Sequence, residues 1–438
     1  MNNAEMAARS RAALWHPCTQ MKMHERFPLV PVARGEGPWL IDFEGRRYLD
    51  GVSSWWVNLF GHAHPAINAA IRDQLDALEH VMLAGFTHAP AVELAERLAR
   101  IAPGRLGHAF FASDGASAAE IALKMAFHYW ANRGRPGKRR FVSLEGGYHG
   151  ETLGALGVTD VGIFRDAYAP LIRSSIVAPF PARSHDDHRF GGIKGAVHAA
   201  DALAKLLEEH AGEVAAFIVE PLVQGASGMR FHHPEYLRRA RELCTRHGVL
   251  LIADEIMTGF GRTGTMFACE QAGVAPDLMC LSKGISGGYL PLSCVLASDE
   301  VYGAFYDDDV ARGFLHSHSY SGNALACRAA CAVLDLFERD GVIAANERRA
   351  ARFFAMAAPL ARHPRVRDFR HLGMIWAFEV DSQAPDFAAR AFAIALAKGV
   401  LLRPMGRTVY FMPPYVTDEA QFALLVDAAG AIVEELAS

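Results

Sequence analysis

Residues 249–284 read VLLIADEIMTGFGRTGTMFACEQAGVAPDLMCLSKG, two apolar runs separated by a glycine-rich turn. The first run, residues 249–253, is short and unbroken, which predicts a strand buried on both faces, and it ends in Asp254 and Glu255. The second run, residues 278–281, is followed by Ser282 and Lys283. Functional groups collect at the carboxyl ends of strands in open α/β sheets, so Asp254 and Lys283 are predicted to face one site.

Two interpretations of Asp254 and Lys283 are open at this point. One is a salt bridge between strand ends, which serves the fold alone. The other is a site for pyridoxal 5'-phosphate (PLP), which needs a lysine to bind it covalently and an acid to keep its ring nitrogen protonated. The residues around the pair have to decide between them.

The surrounding motif resembles class III aminotransferases, which are PLP enzymes of fold type I. The matching residues are 254–264, DEIMTGFGRTG, and 282–284, SKG, followed by Gly287 and Gly288. The resemblance implies that Asp254 contacts the ring nitrogen of PLP and that Lys283 binds PLP covalently, so both are predicted to be catalytic. It also implies a large doubly wound domain with a mostly parallel sheet, and a smaller α+β domain built from both ends of the chain.

A competing motif lies within the same residues. Residues 259–264, GFGRTG, also fit the G-x-G-x-x-G pattern of dinucleotide-binding enzymes. That pattern should follow its strand directly and have an acid at a strand end about 20 residues later. Here residues 255–258 intervene, and Asp277 begins a strand instead of ending one. A nicotinamide-dependent oxidoreductase is therefore the weaker interpretation.

Length and composition point to a large folded protein that acts on small molecules. The chain has 438 residues, 51% of them hydrophobic, so it can bury an extensive core. Its 44 basic and 48 acidic side chains give a net charge of -4, which favours neither nucleic acid nor an anionic membrane as a partner. The N-terminus lacks the apolar run of a secretory signal, and no run is long enough to span a membrane.

Cysteine usage predicts a reduced, cytoplasmic protein. The seven cysteines are odd in number and scattered, and none forms a C-x-x-C motif with matching histidines, so no metal site is expected. They are Cys18, Cys244, Cys269, Cys280, Cys294, Cys327 and Cys331.

Three strings near the N-terminus resemble one branch of the class III family. They are residues 15–17, WHP; residues 50–56, DGVSSWW, after a predicted hairpin with its turn at Glu44-Gly45; and residues 80–90, HVMLAGFTHAP. Packing alone also explains adjacent tryptophans. The branch implies 8-amino-7-oxononanoate as amino acceptor, S-adenosylmethionine as amino donor, and Trp55 and Cys18 as substrate-binding residues. Cys18 departs from the aromatic residue that members often carry there.

The phosphate of PLP is predicted to bind after a strand at residues 109–112. Ser113, Gly115, Ala116 and Ser117 follow it and precede a helix predicted over 118–130. Free backbone N–H groups and the helix dipole attract an anion at such a turn, although an ordinary helix N-cap by Ser113 or Asp114 also explains these residues. Members of the family commonly have Ser or Thr where Ala116 stands, so Ser117 or backbone groups are expected to make the contact.

Four further residues complete the predicted cofactor site. Tyr148, in a glycine-rich turn, matches the family residue that stacks on the pyridine ring, and a structural tyrosine is the alternative. The resemblance also implies that Tyr148 is catalytic and that Tyr148 and Lys283 contact the substrate. Glu220 closes a strand at residues 216–219 and is predicted to lie near PLP, with helix capping equally open. His318 and Ser319 belong to residues 315–323, LHSHSYSGN, where the resemblance implies a hydroxyl given to the phosphate of a partner subunit. This resemblance predicts a homodimer. It is a stronger interpretation of these residues than a metal site at the His-x-His pattern.

Arg403 and Tyr410 are the predicted acceptor-binding residues. Arg403 matches the family's carboxylate-binding arginine, and a guanidinium suits bidentate recognition of a carboxylate. The domains are predicted as an N-terminal segment at 1–60, a large PLP-binding domain at 61–335 and a small domain at 336–438. Alternative activities are another class III enzyme, such as an ω-amino acid:pyruvate aminotransferase, and a PLP-dependent aminomutase.

Overall fold

The computed structural model describes residues 2–27, 29–181, 192–210 and 212–437. The strands are β1 Val32–Glu36, β2 Trp39–Asp42, β3 Arg47–Asp50, β4 His108–Ala112, β5 Arg140–Leu144, β6 Ile176–Ala178, β7 Val214–Val219, β8 Val223–Gln224, β9 Arg230–Phe231, β10 Leu250–Asp254, β11 Leu278–Leu281, β12 Ser293–Ala297, β13 Val366–Leu372, β14 Ile375–Val380, β15 Val400–Leu401 and β16 Thr408–Phe411. The helices are α1 Asn3–Ala13, α2 Ser53–Trp56, α3 Pro65–Leu75, α4 Ala89–Ile101, α5 Gly115–Asn132, α6 Leu153–Val158, α7 Gly162–Arg165, α8 Ile193–His210, α9 Pro234–His247, α10 Asp299–Gly303, α11 Ala324–Asp340, α12 Val342–Arg362, α13 Phe387–Ala397 and α14 Glu419–Leu436. Five short 3-10 helices, at Met21–Glu25, Asp166–Leu171, Ala268–Ala272, Lys283–Ser286 and Val310–Arg312, join them in the described part of the chain.

A seven-stranded sheet forms the centre of the larger unit. Its strand order is β4-β12-β11-β10-β7-β5-β6. Strand β10 runs parallel to both β7 and β11, whereas β12 is antiparallel to β11 and β4. The sheet is therefore mostly parallel, as fold type I requires, and the predicted fold class is confirmed.

The strands of this sheet are apolar because helices cover them. Every residue of β7, β10 and β11 is buried, which explains why these strands appear in the sequence as unbroken apolar runs. Helix α5 contributes Ile121, Ala122 and Ala126 to the same buried cluster. Gly248 ends α9 in the left-handed conformation at φ 58°, which lets β10 begin two residues later.

The chain divides into two compact units. One consists of residues 1–65, 348–369 and 374–438, and the other of residues 66–347 and 370–373. The domain boundaries predicted at 60/61 and 335/336 stay a prediction, since a compact unit is not by itself a domain. No described helix is long and apolar enough to cross a membrane.

The smaller unit contains the hairpin that the sequence predicts. Strands β2 and β3 pair antiparallel, and Gly45 has φ 84° in the turn between them. The sheet order is β1-β2-β3-β15, and β15 runs parallel to β3. A second sheet, β13-β14-β16, packs aromatic side chains such as Phe378 and Phe411, whose ring centroids lie 6.3 Å apart.

Candidate active site

Six of the seven strands of the central sheet run in one direction, and a predicted site residue follows or closes five of them. Ser113 follows β4, Tyr148 comes four residues after β5, Glu220 follows β7, Asp254 closes β10, and Lys283 comes two residues after β11. Parallel strands end at the same edge of a sheet, so the fold brings these five positions to one edge. The register confirms this for the central pair, because Asp254 lies opposite Cys280.

Asp254 is buried and bonded to a histidine that the sequence analysis missed. Its Oδ2 lies 2.6 Å from Nδ1 of His149, and its Oδ1 accepts the N–H of Ile256 at 3.1 Å. Both side chains are almost inaccessible, Asp254 at 4% and His149 at 2% exposure. A buried carboxylate needs such hydrogen-bonding partners to offset its loss of contact with water.

Lys283 begins a 3-10 helix in a strained backbone conformation. Its φ is 44°, in the left-handed region, which costs a residue with a side chain roughly 1 kcal/mol. Burial lowers the pKa of the Lys283 amine, and the negative charges of Asp254 and Glu220 oppose that shift. A lysine whose pKa falls by burial is a better nucleophile and proton carrier near neutral pH.

Glu220 holds the glycine-rich turn that carries Tyr148. Its Oε1 accepts the backbone N–H of Tyr148 at 3.0 Å, and its Oε2 accepts that of Gly225 at 2.9 Å. Burial raises the pKa of Glu220 to about 7. Helix capping, the other possibility left open by the sequence, does not apply, because these amides belong to loops and the next helix begins at Pro234. The Tyr148 hydroxyl donates to Glu151 at 2.8 Å.

The helix after β4 begins earlier than the sequence predicts. Helix α5 begins at Gly115, three residues before the predicted start, and Asp114 is its N-cap. The ordinary N-cap is therefore present, and both the N–H and the hydroxyl of Ser117 donate to Asp114 at 2.9 Å. Because the Ser117 hydroxyl is bonded to Asp114, an anion is better placed to bind the backbone N–H groups of Gly115 and Ala116, which have no acceptor within the helix.

Gly150 shows how tightly the chain packs around this turn. A Cβ on Gly150, where φ is 123°, would lie 2.5 Å from the Cβ of Ala116. The Ala116 side chain therefore leaves no room for a side chain at position 150.

His318 and Ser319 lie in a loop with an exposed apolar surface. The Ser319 carbonyl accepts from Nε2 of His80 at 2.8 Å, and Nε2 of His318 lies 3.3 Å from Nε2 of His316. Leu315 and Tyr320 are 76% and 66% exposed. No cluster of three or more potential metal ligands occurs among the described residues.

The smaller unit brings Trp55, Arg403 and Tyr410 together. The guanidinium carbon of Arg403 lies 4.1 Å from the centre of the Trp55 ring, and the indole N–H of Trp56 donates to the Tyr410 hydroxyl at 3.1 Å. Burial raises the pKa of Tyr410, so its hydroxyl stays protonated. A cavity of about 320 Å³ contains Trp55, Arg403 and Tyr410 in its lining together with mostly apolar side chains, among them Val52 and Phe392.

Trp55 is held by an unusual turn. Ser53, Ser54, Trp55 and Trp56 all have positive φ, between 47° and 74°, so α2 is a left-handed turn of four residues that are not glycine. Each such residue costs roughly 1–2 kcal/mol, and specific contacts must offset that strain. The Ser53 hydroxyl donates to the Met412 carbonyl at 2.6 Å as one of them.

Cys18, the sixth predicted substrate residue, is not part of this cavity lining. It is exposed and has φ 50°. The other six cysteines are buried free thiols. The position of His149 in the sequence does indicate a place near the site, because it directly follows Tyr148 in the same glycine-rich turn.

Comparison with known proteins agrees with this fold and site. The family model "Aminotransferase class-III" matches residues 20–433. The adenosylmethionine-8-amino-7-oxononanoate aminotransferase of Helicobacter pylori is 44% identical over 439 residues, covering 98% of each chain. Its counterpart in Geobacter sulfurreducens is 41% identical and covers 95% of this chain and 94% of that protein.

Solved structures give the same result. The crystal structure of the Methanocaldococcus jannaschii adenosylmethionine-8-amino-7-oxononanoate aminotransferase has TM-score 0.93 and 34% identity, covering 99% of this chain and 100% of that one. An (S)-enantioselective ω-transaminase from Thermomicrobium roseum has TM-score 0.92 and 32% identity, covering 99% of each. The chain belongs to the class III aminotransferase family, and the predictions of an aminotransferase and of PLP as its cofactor are confirmed.

The side chains at the sheet edge fit PLP. A lysine amine, a buried carboxylate supported by His149 and an aromatic side chain in a fixed turn match the aldehyde, the ring nitrogen and the ring of PLP. The N-terminus of α5, which is 18 residues long, suits its phosphate.

Proposed function

We propose that this enzyme converts 8-amino-7-oxononanoate to 7,8-diaminononanoate in biotin biosynthesis, with S-adenosylmethionine as amino donor. The observation that carries the proposal is the identity of 44% over nearly the whole chain with a relative of that name. The stacked Arg403 and Trp55 beside an apolar cavity support it, since the acceptor has a carboxylate at the end of a long aliphatic chain.

Lys283 and Asp254 are the proposed catalytic pair. PLP, when bound, supplies an electron sink for the carbon that loses or gains the amino group. The Lys283 amine, with its pKa lowered by burial, takes a proton from that carbon and returns it, as a general acid–base group must near neutral pH. Asp254 stabilises positive charge on the ring nitrogen, and His149 keeps the Asp254 carboxylate in place.

The remaining cofactor residues position these groups. Glu220 fixes the turn of Tyr148, so that the aromatic ring can lie against a flat ligand. Ser113, Gly115, Ala116 and Ser117 form the phosphate site, and the geometry favours its backbone N–H groups over the Ser117 hydroxyl. Arg403 binds the acceptor carboxylate with a planar fork, and Trp55 keeps that fork oriented.

We propose a homodimer in which His318 and Ser319 serve the partner's cofactor site. Exposed Leu315 and Tyr320 flank Ser319, and a cavity of about 510 Å³ that includes Leu153, Phe314 and Leu315 lies in the same unit. Apolar surface of this kind is typical of interfaces. A cytoplasmic location agrees with seven free thiols.

The second candidate is another class III activity, such as ω-amino acid:pyruvate transamination. The T. roseum ω-transaminase favours it, because the fold match to that enzyme is nearly as good as to the M. jannaschii enzyme. Both activities use the same lysine and aspartate, so only the substrates separate them.

A substrate experiment tests the proposal. PLP-loaded enzyme is incubated with 8-amino-7-oxononanoate and with S-adenosylmethionine, lysine or alanine in turn, and 7,8-diaminononanoate is measured by mass spectrometry. We expect product with S-adenosylmethionine. If 7,8-diaminononanoate forms with lysine but not with S-adenosylmethionine, the amino donor is lysine. If an ω-amino acid aminates pyruvate and no 7,8-diaminononanoate forms with any donor, the second candidate is supported.

A further inference from the structure

A buried carboxylate, Asp50, binds the strained turn that carries Trp55. Asp50 is fully buried at 0% exposure. Its Oδ1 accepts the backbone N–H of Ser54 at 2.8 Å, and its Oδ2 accepts the Ser54 hydroxyl at 2.7 Å. Both bonds go to a residue with φ 47°, so the carboxylate stabilises the turn where its backbone is strained.

His62 completes the surroundings of Asp50. Nε2 of His62 lies 3.0 Å from Oδ2 of Asp50, and Nδ1 of His62 lies 3.2 Å from Nδ2 of Asn58. One tautomer satisfies both contacts, with Nε2–H donating to Asp50 and Nδ1 accepting from Asn58. Asp50 thus accepts three hydrogen bonds, two of them from the turn.

Asp50 is also joined to the strand that precedes Arg403. Strand β3 pairs with β15, where Asp50 lies opposite Leu401, and the N–H of Gly51 donates to the Leu401 carbonyl at 3.1 Å. A Cβ on Gly51 would lie 2.9 Å from that carbonyl oxygen and 2.7 Å from a Leu425 methyl carbon. Only glycine permits this close approach. Asp50-Gly51 therefore connects the turn of Trp55 with the strand that leads to Arg403.

We propose that Asp50, supported by His62, is a positioning residue for substrate recognition. It holds the left-handed turn at Ser53–Trp56 and so fixes Trp55 against the Arg403 guanidinium. The inference rests on the proposed function only for the role of Arg403 as the group that binds the acceptor carboxylate. Asp50 itself need not touch substrate.

Asp50→Asn is the test variant, and Asp42→Asn is its matched control. Asparagine keeps one oxygen for the Ser54 N–H but turns an amide donor toward the Ser54 hydroxyl and His62. Asp42 is also buried, at 2% exposure, and bonded to Asn3, Arg46 and Tyr48, but none of these contacts reaches the turn. Both variants perturb the same unit, and only Asp50→Asn should disturb Trp55. Ser54→Ala, which removes one hydroxyl, serves if Asp50→Asn does not fold.

The first readout is independent of activity. The enzyme contains six tryptophans, so PLP-loaded protein labelled with 5-fluorotryptophan should give six ¹⁹F resonances, and Trp55→Phe and Trp56→Phe assign two of them. We expect Asp50→Asn to shift or broaden those two resonances and Asp42→Asn to leave them unchanged. An unchanged Trp55 resonance in both Asp50→Asn and Ser54→Ala, or an equal change in Asp42→Asn, would overturn the inference.

The second readout is kinetic. Asp50→Asn should raise KM for 8-amino-7-oxononanoate by about tenfold and change kcat by less than about twofold, because it misplaces a binding group and not a reacting one. A fall in kcat with unchanged KM would contradict a positioning role. If Arg403→Ala fails to weaken carboxylate binding while Asp50→Asn still moves the Trp55 resonance, the role of Arg403 is wrong and the structural inference stands.

Discussion

Nδ1 of His149 lies 2.6 Å from Oδ2 of Asp254, and both side chains are buried. This pair joins the loop after β5 to the end of β10. It gives the buried Asp254 side chain a hydrogen-bonding partner from another part of the chain. The negative charge of Asp254 also works against the fall in the pKa of Lys283 that burial causes.

The first prediction concerns this pair. Asp254→Asn should lower kcat/KM by at least about a hundredfold, about 2.7 kcal/mol, because the ring nitrogen loses its charged partner. His149→Phe should lower it by about tenfold, because Asp254 loses a buried donor. Steady-state kinetics of the double variant should match Asp254→Asn alone. Additive losses would mean that His149 acts independently of Asp254.

The second prediction concerns the pH dependence of stability without PLP. The folded state lowers the pKa of Lys283, so between that lowered value and the ordinary value of 10.5 the unfolded chain binds more protons. Stability should therefore rise with pH in this window. Lys283→Met lacks this contribution. Denaturant unfolding from pH 7 upward should show the wild type gaining stability relative to Lys283→Met, and parallel curves would contradict the lowered pKa.

The third prediction concerns the dimer. Ser319→Ala should weaken PLP retention, and Lys283→Ala should be inactive. If Ser319 serves the partner's site, a hybrid dimer of the two variants has one site with both residues, so activity at limiting PLP should recover after mixing and subunit exchange. No recovery in dimers shown to be hybrid would place Ser319 in its own subunit's site. A monomer in light scattering under active conditions would exclude the shared site.

The strands that carry the candidate site could be predicted because local patterns determine them. The strands that end at Asp254 and Lys283 are unbroken apolar runs, and Gly45 indicates the hairpin. The bond between His149 and Asp254 could not be predicted in this way, since 105 residues separate the two. The left-handed turn at Ser53–Trp56 was also missed, because serine and tryptophan do not favour positive φ and only contacts such as those of Asp50 stabilise it.

The start of α5 was misjudged for a physical reason. Small residues at 115–117 were interpreted as a loop, whereas Asp114 caps the helix and lets it begin at Gly115. Of the two phosphate contacts that the sequence leaves open, the Ser117 hydroxyl and the backbone amides, this geometry favours the amides. The Ser117 hydroxyl can bond either to the Asp114 cap or to a phosphate. The positions of these groups decide between the two, and the residue types alone do not predict those positions.

The fourth prediction concerns the acceptor. Arg403→Ala should raise KM for 8-amino-7-oxononanoate by one to three orders of magnitude, the range expected for about 1.5 to 4 kcal/mol, because a charge-assisted bidentate contact is lost. An amine donor without a carboxylate should be almost unaffected. Single-turnover kinetics of each half-reaction provide the measurement. Equal losses for carboxylated and uncarboxylated substrates would mean that Arg403 supports the fold instead.

The central claim is that Lys283 binds PLP and carries the proton in catalysis. Borohydride reduction of the PLP-loaded enzyme, followed by proteolysis and mass spectrometry, locates the lysine that holds the cofactor. We expect the cofactor mass on the peptide that contains Lys283, and a Lys283→Ala protein that retains PLP without a covalent bond and does not turn over. Cofactor attached to a different lysine, or steady-state activity retained by a clean Lys283→Ala preparation, would contradict it.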